Sequence, residues 1–168
     1  MDIDDEAPDT SSEIGSDELL SDDSLRLPEG ASILVRLHAV RAWLMRRKHD
    51  AGIAVGAAAL DLQRAMLEEP QETRPRRRER QEQQERLQRT QQAFAEAQQR
   101  LNAYEEAQSL LEDCIAHTSG ERVLVEYYLA LDELVNNTPA DQPDSLPRLR
   151  ALADVQRRIE HICIPEEE

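Results

Sequence analysis

At 168 residues the chain has room for one domain of ordinary size plus a tail, and with 39% apolar and only 3% aromatic residues any core must be aliphatic and alanine-based. Five glycines and few β-branched residues leave little material for a sheet, whereas Ala, Leu, Gln, Glu and Arg dominate the middle, which predicts an all-α fold. The formal charge of −15 opposes general nucleic-acid binding, because affinity for phosphates is built on counterions released by a net basic surface.

Much of that acidity is a tail. Residues 1–29 carry eleven acids against Arg26 alone, are rich in Ser and contain Pro8 and Pro28, a composition too polar to offset the entropy of ordering; disorder is expected. Within it Asp17 to Leu27 mixes leucines with acids, a pattern able to fold against a partner's apolar groove. The first residues lack the basic, apolar, then small-residue order of a signal peptide. The longest apolar run, Ala51 to Leu60, has ten residues where a bilayer needs ~20. A cytoplasmic protein without membrane insertion is therefore expected, with Cys114 and Cys163 as reduced thiols.

From Ser32 a helical pattern begins, with Ile33, Leu37, Val40 and Leu44 on one face and Trp43 beside it. Val55, Ala59, Leu62 and Met66 resume the stripe after a phase slip around Arg46 to Asp50, which predicts a bend or break near His49 to Gly52. Gly52 and Gly56 form a G-x-x-x-G, read here as close packing in a soluble bundle because no apolar 20-mer surrounds it. Pro70 and Pro75 bracket a polar turn.

The second helical region carries the strongest signal in the chain. Leu87, Thr90, Phe94, Ala97, Leu101, Tyr104, Gln108, Leu111, Ile115 and Thr118 alternate at steps of three and four, a coiled-coil seam with seven apolar positions in ten. Residues 32–69 and 76–118 would form helices of about 57 and 65 Å at 1.5 Å per residue. Near-equal lengths joined by a short turn predict an antiparallel hairpin, with Ala57-Ala58-Ala59 facing Ala93, Ala95 and Ala97. The rival is a parallel self-dimer. Its flanking pairs would include only one ion pair, Arg100 with Glu105, so partner coding favours an intramolecular or antiparallel mate.

Thr118 and Glu121 stand at capping-box spacing around Gly120 and predict a tight turn. Val123, Tyr127, Leu131 and Leu134 form the next helix face, Pro139, Pro143 and Pro147 fence a polar loop, and Asp144 or Ser145 caps a last helix with the stripe Leu149, Leu152, Val155, Ile159 and Ile162. Residues 119–164 thus read as two helices packing back on the long one, followed by an acidic terminus at 165–168.

Chemistry is sparse. There is no P-loop, dinucleotide fingerprint, nucleophile elbow, H-E-x-x-H or EF-hand loop, and no catalytic residue or cofactor is expected. Cys114, His117, His161 and Cys163 are zinc-type ligands that the topology would bring to one pole. Residues two apart on a helix point about 200° from each other, so His161 and Cys163 would need an unwound terminus. Small buried thiols and exposed histidines are the commoner outcome. Arg74, Arg76, Arg77, Arg78 and Arg80 form a basic cluster at the hairpin tip that could meet an anion, but Glu72, Glu82 and Glu85 surround it and no aromatic interleaves it.

The reading that follows is a non-catalytic helical scaffold or adaptor that pairs through its coiled-coil arm with itself or another helical protein. Leu87, Phe94, Ala97, Leu101, Tyr104, Leu111 and Ile115 are its expected interaction seam. A regulator of nucleic-acid transactions acting through the arginine cluster, and a metal-stabilised bundle, are the alternatives.

Overall fold

The computed structural model describes Leu27, residues 30–68 and residues 76–163. The acidic tail apart from Leu27, the turn with Pro70 and Pro75, Arg74, and the terminus at 165–168 lie outside the described residues. The fold is all-α. Four α-helices run in order: α1 (Ile33–Leu67), α2 (Arg77–His117), α3 (Arg122–Asn136) and α4 (Leu146–Cys163), the last entered through a 3-10 turn at Pro143–Ser145.

Local chemistry starts the two long helices. The Ser32 hydroxyl accepts from the Val35 amide at 3.4 Å at the head of α1, and the Glu79 carboxylate accepts from the Arg76 amide at 3.0 Å at the head of α2. The pair is antiparallel. At the tip Arg86 of α2 binds the Glu68 carboxylate and Gln83 Nε2 donates to the Glu68 carbonyl at 2.6 Å, while at the base Arg41 of α1 lies 3.2 Å from Glu112 of α2.

The core sits at the base, where α3 and α4 fold back on the hairpin. Leu37, Val40, Trp43 and Leu44 of α1, Ala103, Tyr104, Ala107 and Leu111 of α2, Val123, Tyr127 and Leu131 of α3, and Leu152, Val155 and Ile159 of α4 are buried together, with Leu27 packed against them. Each fully buried aliphatic side chain contributes about 1.5–3 kcal/mol, so stability concentrates here. Beyond Ala51 the arm is two helices only, and its other buried apolar residues are Ala65 and Ala97. Of the small side chains expected to meet across the arm, Ala57, Ala58 and Ala93 line one groove, whereas Ala59 and Ala95 are exposed outside it.

Three local expectations are corrected. α1 is one continuous helix through His49 to Gly52, with no break. Between Leu44 and Val55 the core-side positions are Arg47, Lys48 and Ala51, so the apolar stripe lapses while the helix runs on. The stripe resumes on the same face, where Val55 and Leu62 are half-buried and Ala51 and Ala65 buried, while Ala59 and Met66 at its edge are exposed. The capping box at Thr118 and Glu121 does not form: Thr118 ends α2, its hydroxyl bonds Glu126, Gly120 takes a left-handed φ of 67°, and α3 starts at Arg122.

Candidate association surface

The stripe on α2 turns inward. All ten of its positions are buried or half-buried; Ala97, Tyr104 and Leu111 are buried, Leu101 and Ile115 pack on the core, and Leu87 and Phe94 are half-buried along the arm. In this chain the seam is satisfied by the hairpin, and free apolar surface lies elsewhere.

It lies on the outer face of α1. At about 100° per residue, Leu34, Val35, His38, Ala42, Met45, His49, Gly52, Ile53, Gly56, Leu60, Gln63 and Leu67 share one arc opposite the core-facing side. None of the twelve is Asp, Glu, Lys or Arg, in a chain of which 33% is charged. Met45, Ile53, Leu60 and Leu67 are 52%, 60%, 56% and 72% exposed, far more than a core position would be. By contrast Val125 and Leu129, the exposed apolar pair on α3, are flanked by Arg122, Glu126, Asp132 and Glu133. A helix that is apolar on both faces is ordinarily covered on both.

The strip has relief. Where α1 passes α2, Met45, Lys48, His49, Gly52, Ile53, Leu101 and Glu105 line an open groove of about 610 Å³. Gly52 and Gly56 both sit in mid-helix, and a Cβ at either would meet nothing within 4 Å, so the chain's own packing does not require a glycine there. On the tip side a second groove of about 600 Å³ has an alanine floor at Ala54, Ala57, Ala58 and Ala93, with Asp61, Arg86 and Arg89 among its walls.

Beside the base, Trp43 stands edge-on to Tyr104 with ring centroids 6.3 Å apart, and the guanidinium groups of Arg47 and Arg158 lie 5.4 and 5.7 Å from the Trp43 ring centroid. With Asp154, Arg157 and His161 these residues line a smaller cleft of about 170 Å³. Of the basic residues of α1, only Arg47 lines this cleft; Arg36, Arg41, Arg46 and Lys48 share its stretch of sequence but are spread around the helix. Along the sequence, the cluster at Arg74–Arg80 is thus not the only concentration of positive charge. The absence of any acid from residues 33–49 was the signal in the sequence.

Arg76, Arg77, Arg78 and Arg80 are all exposed at the start of α2, and Arg78 pairs with Glu82 at 2.9 Å; Arg74 lies outside the described residues. Cys114, His117, His161 and Cys163 do not converge: among the described residues no group of three or more His, Cys, Asp or Glu side chains is placed to hold a metal ion. His117 Nδ1 lies 2.8 Å from the Asp113 carbonyl, and both cysteines are free. Burial, with Glu126 and Asp113 nearby, pushes the half-buried Cys114 thiol up, and burial pushes Cys163 up to about 11, so both favour the inert protonated form.

Among the described residues no helix is long and apolar enough to cross a membrane. No known protein family, curated protein or solved structure matches this chain.

Proposed function

We propose that this chain is a non-catalytic helical scaffold or adaptor, and that it associates with a partner helix through the outer face of α1. One observation carries this reading: a strip the length of α1, free of Asp, Glu, Lys and Arg, stands exposed opposite the face that meets the core. Contiguous exposed apolar surface of this extent marks an interaction site, because each exposed aliphatic group loses the favourable transfer from water until something covers it. The four-helix base holds one end of α1 in a packed core and the arm extends the strip beyond it.

A photo-crosslinking side chain placed at Met45, Ile53 or Leu67 in the producing cell tests the reading, with Gln84 and Gln91 on the exposed side of α2 as controls. Adducts to another polypeptide are expected from the α1 positions and not from the α2 positions. Equal yields at both sets, or none from α1, would overturn it.

A further inference from the structure

We infer that the outer strip of α1 is covered by a second copy of this chain, running antiparallel and crossing near Gly56. This rests on the reading of the strip as an association surface and specifies its occupant. Two features favour a self-complementary, two-fold contact, and a third sets its strength.

The first is the spacing of large and small residues. About Gly56, Leu60 and Gly52 stand four positions to either side, His49 and Gln63 seven, and Met45 and Leu67 eleven. In an antiparallel pair centred there, Leu60 of one copy meets Gly52 of the other, where the 610 Å³ groove lies open. His49 meets Gln63 and Met45 meets Leu67, and the two-fold axis repeats every pairing. Two helix-interior glycines that the chain's own packing leaves unexplained are accounted for by the approach of a second helix.

The second is charge. Residues 33–49 carry Arg36, Arg41, Arg46, Arg47 and Lys48 with no acid, while residues 50–68 carry Asp50, Asp61 and Glu68 against Arg64. A parallel pair would superpose the two basic halves. The antiparallel pair keeps the two Arg46–Lys48 runs at opposite ends of the contact, and along one edge of the strip it brings Arg46 toward Glu68 and Asp50 toward Arg64. Such flanking charges set orientation in helix pairs.

The third is area. Centred on Gly56, the two strips overlap from Met45 to Leu67, about 33 Å at 1.5 Å per residue. With helices packed about 10 Å apart, the two faces together cover roughly 700 Å², below the range of stable specific interfaces and in that of weak, transient ones. The dimer is therefore one that dissociates on dilution.

The test uses the full chain. Light scattering over a hundredfold dilution is expected to show a dimer giving way to monomer. Single Met45→Cys and Leu67→Cys variants, oxidised mildly and mapped by peptide mass, should give a disulfide between positions 45 and 67 when mixed and neither a 45-to-45 nor a 67-to-67 link. Gly52→Leu, whose Cβ meets nothing in its own chain within 4 Å and whose side chain occupies the groove, should weaken dimerisation at least tenfold with helicity undiminished. Homotypic links would mean a parallel pair and overturn the inference while leaving the association surface in place. A monomer at every concentration overturns the second copy as occupant. If photo-crosslinks from Met45 or Ile53 to a different protein persist, the broader reading survives. If the strip becomes accessible to labelling only after residues 1–26 are deleted, the chain's own tail is the occupant and the inference fails.

Discussion

Tyr104 of α2 donates its hydroxyl proton to Asp154 of α4 at 3.1 Å, and Arg47 of α1 lies 3.7 Å from the same carboxylate oxygen, so three helices meet at one side chain. Replacing Tyr104 with Phe keeps the ring against Trp43 and removes only the hydroxyl. A net loss of about 0.5–1.5 kcal/mol is expected from one such hydrogen bond. Urea unfolding followed through Trp43, the sole tryptophan, should show a lower midpoint with an unchanged slope. A changed slope would mean that the compactness of the base had altered as well.

The same hydroxyl predicts alkaline sensitivity. Burial, then the Asp154 charge and hydrogen bond, push Tyr104 from 10.0 up to about 12, and burial raises Tyr127, whose hydroxyl donates to the Ala107 carbonyl at 2.8 Å. For both, the folded state favours the neutral phenol. The unfolded chain loses these protons first as pH rises past about 10. Their stabilising contribution is thus complete below that pH and, for Tyr104, is lost as pH climbs through its folded value near 12. Unfolding free energy should fall between pH 10 and 12 in the native chain and fall less in Tyr104→Phe.

How much of this was legible in the sequence depends on whether one dimension was enough. The α2 stripe was read correctly as apolar because its period is set by a single face, and the antiparallel hairpin followed from length alone. α1 defeated the same method. Its inner face runs from Leu37 and Leu44 through Ala51, Val55 and Leu62, but the polar run Arg46 to Asp50 interrupts the apolar pattern and reads as a phase slip where the helix is continuous. The inner face is the one that α2 and α4 cover together, with α4 beside Trp43, while Met45 on the other side stays 52% exposed. The capping-box pattern at Thr118 likewise yielded to the left-handed turn at Gly120.

Acid behaviour should be governed in part by Arg148. Its Nη1 and Nη2 donate to the two Glu106 carboxylate oxygens at 2.9 and 2.6 Å, and its Nε donates to the Thr138 hydroxyl at 3.1 Å, joining α4 to α2 and to the loop after α3. The Arg148 hydrogen bond holds the Glu106 carboxyl below its ordinary 4.5. A depressed carboxylate stabilises the fold above its unfolded value and loses that contribution as pH falls through the lower folded one. Arg148→Gln should therefore reduce stability by about 1 kcal/mol at neutral pH, a figure kept small because the pair is partly solvated. The difference from the native chain should shrink as pH drops below 4.5; a difference independent of pH would assign the effect to the Thr138 contact.

The two faces of α1 should respond oppositely to truncation. Leu44 is fully buried, so Leu44→Ala opens a cavity and should reduce stability by about 2–5 kcal/mol. Leu60 is 56% exposed, and in dilute protein Leu60→Ala should change stability by no more than about 0.5 kcal/mol. Gly52→Ala should go further in the same direction. The added methyl meets nothing in the chain, and alanine exceeds glycine in helix interiors by about 0.8–1 kcal/mol, so the dilute monomer should become more stable. Thermal melts at low concentration would read all three. A destabilising Gly52→Ala there would mean that Gly52 serves the chain's own packing, and the strip would lose its recessed centre. A stabilising one, combined with weaker association at high concentration, is the behaviour of a glycine kept for another helix.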